Sequence, residues 1–404
     1  MRSESFAQQA RHPDFPQAFS RQRLLPLPTL VATLLCMRAS SQQCLLDSVF
    51  GAMRDTAAMV RGVSDRAFAK ARSHLHVPAL SALNDQVLAR ASAAGMVPLW
   101  QGFRLVAADA SVLMPAIRRC KRTHRLASAD QRLFALYLPG AELTLHAAVH
   151  SASESERAML ADALDKLAPG DVLLLDRGYP AAWLVNLLVA RGIHFVMRCD
   201  TRSGGWRNLR QFIRGDQTET QISLSAPSAQ DVADWGCSAL PPTVRVVRQI
   251  APNGQVRVLM TNLTAAQAPA TAFAMLYHRR WRIEEAFKRL KSRLHLEAVS
   301  GLSQHAVLVD VAAKVLADNL ASLMCAAAHA STQASADKRC ARAPAIRILQ
   351  CALPRILLAI GNASAIINDA LAMITRSLKR LRPGRTSPRA NFKSKPHPKL
   401  AYKG

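Results

Sequence analysis

The chain has 404 residues, of which 50% are apolar and 5% aromatic, so its composition is that of a globular protein of roughly two to three domains and excludes a disordered or collagen-like chain. Lys and Arg number 53 against 27 Asp and Glu, which gives a formal net charge of +26. A surface of this sign attracts polyanions such as nucleic acids.

Neither secretion nor membrane insertion fits the sequence. Residues 1–23 lack the apolar run that a signal peptide needs. The stretch 306–328 is apolar but carries Asp310, Lys314, Asp318 and Asn319, which predicts a buried helix and disfavours a membrane span. The eight cysteines include no Cys-x-x-Cys pair, so we expect reduced thiols in a cytoplasmic protein and no zinc site or disulfide framework.

The first part of the chain is predicted to be an N-terminal helical domain over residues 1–95. Its predicted helices cover residues 29–37, 64–75 and 81–94. The second helix carries Arg66, Lys70 and Arg72, which indicate either an ordinary solvated face or a helix that contacts DNA. The sequence therefore favours a DNA-binding role for this domain.

Strands and helices alternate over residues 100–200, which predicts an α/β architecture. Two short apolar runs, 103–109 and 171–176, read as buried strands that each end on an aspartate, Asp109 or Asp176. The other predicted elements are a strand at 143–149, helices at 155–167 and 183–190, and a strand at 193–198.

The composition changes after residue 200. Residues 201–268 predict a β-rich insertion, with strands at 243–247 and 255–261. Residues 269–330 then contain two long helical patterns, 271–294 and 306–328, and 331–375 form a C-terminal helical region. Residues 376–404 hold ten Lys or Arg and no acidic residue, which predicts a flexible basic tail that either raises salt-sensitive DNA affinity or only aids solubility.

The segment 277–291 (YHRRWRIEEAFKRLK) carries the most informative pattern. At about 100° per residue, a helix places Tyr277, Arg280, Glu284 and Lys291 within a stripe roughly 60° wide, with Lys288 beside it. A separate apolar face, predicted to be buried, consists of Leu276, Ile283, Phe287, Leu290 and Leu294.

The charge of this helix suits phosphate groups. Residues 279–293 contain seven Lys or Arg against two Glu, more positive charge than pairing along the helix uses. A carboxylate on such a stripe either forms an ordinary salt bridge, from Glu284 to Arg280 or Lys288, or binds a cation.

Three carboxylates on separate predicted core elements offer a metal site. Asp109 and Asp176 end buried strands, where each either caps a turn or needs a cationic partner. If they meet Glu284, the cluster suits one or two Mg²⁺ ions, which prefer oxygen ligands. Two such ions about 4 Å apart activate a water or a 3′-hydroxyl for phosphodiester cleavage and transfer.

At these residues the sequence resembles the DDE transposases of bacterial insertion sequences, specifically the insertion-sequence-four family with its Tyr-Arg-Glu-Lys signature. The signature spacing Y(2)R(3)E(6)K is met by Tyr277, Arg280, Glu284 and Lys291. Further similarity lies in AADAS around Asp109, SER at 155–157, DRGYP at 176–180 and MTNL at 260–263. The resemblance extends from about residue 20 to 325.

The resemblance implies a ribonuclease H-like catalytic core interrupted by the β-rich insertion, with Asp109, Asp176 and Glu284 as ligands of Mg²⁺ or Mn²⁺, two ions in all. It also implies that Tyr277, Arg280 and Lys291 contact phosphates at the transposon end, with Lys288 beside them. The expected activity is cut-and-paste transposition on double-stranded DNA, both terminal repeats and target, by a homodimer.

Two alternatives remain open from the sequence. The chain is either an active transposase or a noncatalytic DNA-binding or regulatory descendant of one. A tyrosine recombinase with Tyr277 as nucleophile is a weaker alternative, because its dispersed Arg and His partners are not recognisable.

Weaker signals concern aromatic and histidine residues. Trp281 either packs in the core or stacks on DNA, and Trp206 and Trp235 are further stacking candidates. His146 and His150 lie on a predicted strand, where they are too far apart to share one zinc ion.

Overall fold

The computed structural model describes residues 1–21, 23–36, 41–56, 58–113, 131–200, 205–250, 254, 256–301, 303–332 and 338–380. Its elements group into two compact units. One unit comprises Met1–Met96, Val112–Gln131 and Lys288–Gly404, and the other comprises Val97–Ser111 and Arg132–Phe287. The domain boundaries given above remain a prediction.

The first unit is mainly helical. Its helices are α1 (Glu4–Gln9), α2 (Leu27–Leu35), α3 (Gln42–Met53), α4 (Asp65–Ser73), α5 (Val77–Ala93), α12 (Gln304–Ser331), α13 (Arg342–Leu358) and α14 (Ala363–Thr375). Two short antiparallel strands, β9 (Lys338–Cys340) and β10 (Leu378–Arg380), accompany them. The predicted helices at 29–37, 64–75 and 81–94 are confirmed as α2, α4 and α5 with shifted ends.

Helix α12 lies at the centre of this unit, packed against α2, α5, α13 and α14. It confirms the buried helix predicted at 306–328, since its four polar residues are at most 2% exposed. On α4, Arg66 and Lys70 are exposed, whereas Arg72 is buried and donates a hydrogen bond to Ser300 Oγ. Arg72 therefore does not belong to a solvated basic face.

The second unit is built on one eight-stranded mixed sheet. Its strands are β1 (Leu105–Leu113), β2 (Gln131–Leu138), β3 (Leu143–Ser151), β4 (Val172–Leu175), β5 (His194–Arg198), β6 (Glu219–Ser223), β7 (Thr243–Ile250) and β8 (Val256–Thr261). The order across the sheet is β3-β2-β1-β4-β5-β8-β7-β6. Its helices are α6 (Glu156–Asp162), α7 (Ala182–Ala190), α8 (Arg207–Arg214), α9 (Ala229–Trp235), α10 (Phe273–His278) and α11 (Arg282–Lys288).

Three central strands run parallel and the strands after them run antiparallel. Strand β4 pairs in parallel with β1 and β5, while β5-β8, β8-β7 and β7-β6 are antiparallel pairs. The strands predicted as a β-rich insertion therefore extend the same sheet. Sequence analysis missed β2, a continuous apolar run, and the short helices α8 and α9 within the insertion.

The segment predicted as one helix over 271–294 is helical throughout but changes type. Short 3-10 turns, Ala270–Ala272 and Arg279–Trp281, flank α10, and a π-helical turn, Arg289–Arg293, follows α11. The predicted apolar face is confirmed, because all five of its residues are buried. The predicted helix at 155–167 is also shorter, since α6 gives way to a 3-10 turn at Leu164–Lys166.

Two findings concern the helices and the cysteines. None of the helices in the described ranges is both long and apolar enough to span a bilayer. Seven of the cysteines carry thiols, and Cys120 lies outside the described residues. Strand β10 covers the beginning of the predicted basic tail, and residues 381–404 lie outside the described residues.

Candidate functional site

Asp109 on β1 and Asp176, the residue that follows β4, lie side by side at neighbouring parallel strands. The Arg104 guanidinium forms two hydrogen bonds to Asp171, of 2.7 and 2.6 Å, which fix the start of β1 against the start of β4. The resulting register pairs Ala107 with Leu174, so that Asp109 and Asp176, two residues further on, are level with each other. Because side chains alternate along a strand, both carboxylates point to the same face of the sheet.

Each of these aspartates also accepts one backbone hydrogen bond. Asp109 Oδ1 accepts from Ala110 N at 2.9 Å, and Asp176 Oδ1 accepts from Gly178 N at 2.7 Å. Asp176 directly follows β4, as predicted, whereas Asp109 lies inside β1, so the prediction that a strand ends on Asp109 is wrong; the strand continues to Leu113, which is buried. The local backbone contact that the sequence left open as an alternative role is present at both aspartates. A single amide satisfies only part of a carboxylate's capacity to accept hydrogen bonds, so both groups retain acceptor sites.

Glu284 reaches the same region through Arg280. The Arg280 guanidinium is 6% exposed and lies between two carboxylates, with Nη1 3.2 Å from Asp109 Oδ2 and Nη2 3.3 Å from Glu284 Oε1. Residues four apart on a helix lie on one face, which places Glu284 and Arg280 together. The salt bridge from Glu284 to Arg280 that the sequence offered is therefore present, and it links Glu284 to Asp109.

Electrostatics at this site disfavour the charged form of Asp109. Burial raises the pKa of Asp109 to about 7, the Arg280 guanidinium opposes this rise, and repulsion from Asp176 and then Glu156 adds to it. Since burial is the largest cause of this rise, a cation bound beside Asp109 would favour its charged form.

Sequence analysis assigned no role to a fourth carboxylate and a tyrosine in this region. Glu156 begins α6, and its pKa is raised by burial and then by repulsion from Asp176. Tyr179 is fully buried, and none of the described residues forms a hydrogen bond with its hydroxyl. The sequence signals were present, because these residues stand in the motifs SER and DRGYP. We refer to Asp109, Asp176 and Glu156 as the acidic cluster.

The aromatic residues of the signature helix pack around Arg280. Tyr277 is 4% exposed, and its buried hydroxyl has no hydrogen-bond partner within the described ranges. The Arg280 guanidinium lies 5.8 Å from the centre of the Tyr277 ring and 5.2 Å from that of Trp281, which is half-buried. Trp281 therefore contacts its own helix in the DNA-free protein.

The two signature lysines belong to the other compact unit. Lys288 is exposed at the end of α11. Lys291 lies in the π-helical turn, donates a hydrogen bond to Val112 O and is 3.5 Å from Glu297. The helix stripe predicted from a uniform turn therefore describes Tyr277, Arg280 and Glu284, whereas the change of helix type alters the phase at Lys291.

Of the other tryptophans, the half-buried Trp235 stacks on the buried Trp183, with ring centres 4.4 Å apart and planes at 4°. This contact covers one face of the Trp235 ring. Trp206 occupies the N-cap position of α8.

The carboxylate oxygens of Asp109, Asp176 and Glu284 are the donors that a hard divalent cation prefers, but in this structure they do not all lie close together. Within the ranges that the structure describes, the group of three residues whose ligand atoms all lie within 4.8 Å of one another is His150, Glu154 and Asp162, not the predicted triad. Arg280 instead occupies the space between Asp109 and Glu284. Three buried polar atoms beside these carboxylates have no hydrogen-bond partner among the residues that the structure describes, namely Tyr179 Oη, Tyr277 Oη and Arg280 Nε. Buried polar atoms without partners are costly, and such atoms are suited to bind a ligand or its hydration shell.

Comparison with known proteins identifies the family. Residues 106–320 match the family model described as the transposase DDE domain, and the chain belongs to this family. A search of curated proteins found no match. Among solved structures, the chain is similar to a piggyBac transposase in a synaptic complex with hairpin DNA, solved by cryo-EM, with a TM-score of 0.45 and 10% identity over 95% of this chain and 82% of that chain. DDE transposases use divalent metal ions, in agreement with the oxygen donors described here.

Proposed function

We propose that this DDE-domain transposase carries out cut-and-paste DNA transposition, by hydrolysis of phosphodiester bonds at the element's ends followed by strand transfer into target DNA. The proposal includes membership of the insertion-sequence-four group and a ribonuclease H-like core formed by the parallel strands β1, β4 and β5. The observation that carries it is the level placement of Asp109 and Asp176 at adjacent parallel strands, with Glu284 joined to them through Arg280.

In this proposal Asp109, Asp176 and Glu284 hold Mg²⁺, with Mn²⁺ as a substitute and two ions in all. The ions would lower the pKa of a bound water and stabilise the oxyanion that leaves. The chain's own contribution is a rigid set of carboxylates, since two of them sit on a sheet whose register is fixed by buried strands.

Arg280 has a second task in the proposed function. Its guanidinium neutralises Asp109 and Glu284 in the DNA-free protein. Arginine also recognises phosphate through paired hydrogen bonds, so Arg280 is suited to contact the DNA backbone together with Tyr277, Trp281, Lys288 and Lys291.

The burial of Tyr277 bears on the recombinase alternative. A tyrosine nucleophile has to reach a phosphorus atom, and the Tyr277 side chain is 4% exposed with its hydroxyl buried. Burial also raises the pKa of Tyr277, which opposes formation of the phenolate. Both observations favour a positioning role over covalent catalysis.

The assembly that we propose is a homodimer acting in the cytoplasm on double-stranded DNA. Joining two ends of one element needs two active sites. The partners are the element's terminal repeats and the target duplex, and the net charge of +26 supplies affinity for both.

The test uses the full chain and a duplex that contains the DNA flanking its coding region, incubated with Mg²⁺. We expect nicking at defined positions, and a loss of at least about 10³-fold in Asp109→Ala, Asp176→Ala and Glu284→Gln, since metal-ion stabilisation of several kcal/mol is removed at about 1.4 kcal/mol per tenfold. DNA affinity should survive, and the matched control Asp165→Ala, in an exposed carboxylate of the same unit, should cleave like the wild type. Unchanged cleavage in the three variants would reject the proposal, and specific binding without any nicking would favour the noncatalytic descendant.

A further inference from the structure

The motifs SER (155–157) and DRGYP (176–180) meet at the carboxyl end of the central strand β4. Arg157 Nε donates a hydrogen bond of 2.8 Å to the carbonyl oxygen of Gly178, which ties the start of α6 to the loop after β4. Gly178 N in turn donates to Asp176 Oδ1 at 2.7 Å. These two hydrogen bonds hold the SER and DRGYP motifs together, so Glu156 of SER lies beside the DRGYP loop.

Gly178 leaves a gap between two carboxylates. A methyl group placed on Gly178 would lie 3.1 Å from Asp176 Oδ1 and 3.6 Å from Glu156 Oε2. Both oxygens therefore approach the same point in space, which no side chain fills. Arg132 pairs with Glu156 from the other side, with Nη1 3.6 Å from Oε1, so Oε2 is the oxygen that faces the gap.

A buried hydroxyl supplies an independent indication of a ligand. Tyr179 is 0% exposed and its hydroxyl has no partner among the described residues. Burial, and then repulsion from Glu156, Asp109 and Asp176, raise the pKa of this phenol, so the hydroxyl stays protonated beside the three carboxylates of the acidic cluster. A fully buried hydroxyl without a partner costs about 1–3 kcal/mol unless a bound group accepts its hydrogen bond.

We propose that Glu156 is a fourth carboxylate of the cation site, and that a divalent cation is held at the gap beside Gly178 by Glu156 and Asp176, with the Tyr179 hydroxyl donating to its hydration shell. This inference rests on the proposed function, because it takes Asp176 as a metal ligand. It adds a ligand on α6 that lies outside the Asp-Asp-Glu set.

The charges of the site agree with this assignment. Asp109, Asp176 and Glu284 carry three negative charges, and Arg280 neutralises part of them by contacting two of the three. Two divalent cations bring more positive charge than this set balances. A fourth carboxylate next to Asp176 supplies additional negative charge to balance them.

The experiment measures Mn²⁺ binding to the full-length, DNA-free protein by electron paramagnetic resonance of the free ion. We expect Glu156→Gln to lower the affinity for Mn²⁺ by about 10–100-fold, as is usual when a group around a metal is lost. At the Mn²⁺ concentrations used, this loss can also show as one bound ion fewer. Asp165→Asn is the matched control, since it removes the same charge from an exposed side chain of the same unit that pairs with Lys166. This control should bind Mn²⁺ like the wild type.

A second variant tests the gap without removing a ligand. Gly178→Ala places a methyl group between the two carboxylates and should weaken Mn²⁺ binding as well, while Glu156→Asp, which keeps the charge, should retain more affinity than Glu156→Gln. Circular dichroism of each variant shows that the fold is kept. Wild-type Mn²⁺ binding in Glu156→Gln would overturn the inference, whatever the effect of Gly178→Ala.

Asp176→Asn separates this inference from the proposed function. If Asp176→Asn weakens Mn²⁺ binding and Glu156→Gln does not, the fourth carboxylate is rejected and the proposed function stands. If Asp176→Asn also binds Mn²⁺ like the wild type, both are rejected.

Discussion

Two regions of this protein bury charged side chains, and they differ in how those charges are satisfied. Helix α12 carries the polar row Asp310, Lys314, Asp318 and Asn319, whose partners are all supplied by the same unit. Asp318 binds the Arg289 guanidinium through two hydrogen bonds of 3.1 and 3.0 Å, and Asp310 accepts from Ser300 N and Oγ at 2.6 and 2.7 Å.

The rest of the polar row is equally complete. Lys314 Nζ donates to the carbonyl oxygens of His295 and Ala298 at 2.9 and 3.2 Å, and Asn319 donates to Asn84 Oδ1 at 2.7 Å. The row therefore acts as a structural device that holds α12 in one register against its neighbours.

In the acidic cluster, by contrast, the buried charged and polar groups are not all satisfied by partners among the described residues. Its carboxylates repel one another, burial raises the pKa of Asp109 and Glu156, and two tyrosine hydroxyls beside it lack partners. Buried polar groups that complete one another stabilise a fold, whereas groups left incomplete are suited to bind a ligand. This difference distinguishes the candidate site from the structural core.

The largest effect that sharpens the comparison is expected in the polar row. Asp318→Ala leaves the buried Arg289 guanidinium without its carboxylate, which should lower the free energy of unfolding by about 3–5 kcal/mol. Urea denaturation of the full chain measures this. The control Asp165→Ala breaks an exposed pair with Lys166 and should cost no more than about 1 kcal/mol. A loss below about 1 kcal/mol for Asp318→Ala would contradict the structural role of the row.

In the acidic cluster, removing a carboxylate is expected to raise the free energy of unfolding instead of lowering it. Because the pKa of Asp109 in the folded protein is about 7, above its ordinary value of 3.8, folding is favoured by this group below pH 3.8 and disfavoured above pH 7. Asp109→Asn removes that penalty, so at pH 8 and without metal it should raise the free energy of unfolding by about 1–3 kcal/mol. The gain should vanish below pH 4.

Denaturation of the metal-free protein at pH 8 and pH 4 checks this prediction. Glu284 still pairs with Arg280 in the variant, so the guanidinium keeps a partner. Destabilisation at pH 8 would show that Asp109 serves the fold and not a ligand.

A smaller effect is expected in the polar row, where the contribution of Lys314 to stability should depend on pH. Burial lowers the pKa of Lys314 below 10.5, and Asp310 only partly opposes this. Between the lowered value and 10.5 the unfolded chain binds more protons than the folded one, so stability contributed by Lys314 rises with pH in that window. The free energy of unfolding of the wild type, minus that of Lys314→Met, should rise by up to about 1.4 kcal/mol per pH unit. A difference that stays constant between pH 7 and 10 would refute this prediction.

Much of the candidate site was predictable because its pattern is local. The segment 277–291 shows a buried apolar face and a basic stripe with one carboxylate, and helical periodicity alone places Arg280 beside Glu284. The polar residues within 306–328 likewise indicated a buried helix that does not cross a membrane. These inferences need only neighbours three or four residues apart.

Other features were missed because they depend on contacts between distant residues. Strand β2 has no alternation to mark it, since both of its faces are largely buried in the sheet. The π-helical turn at Arg289–Arg293 interrupts a pattern that predicts a uniform helix, and it directs Arg289 toward Asp318.

The sequence by itself determined which residue types are present for metal and phosphate chemistry, and on which elements they lie. Only the tertiary structure decided that Asp109 and Asp176 are level, that Arg280 lies between Asp109 and Glu284, and that Glu156 and Tyr179 join them. The reason is physical: helical spacing is a property of consecutive residues, whereas strand order and register come from hydrogen bonds and packing between segments that are far apart along the chain.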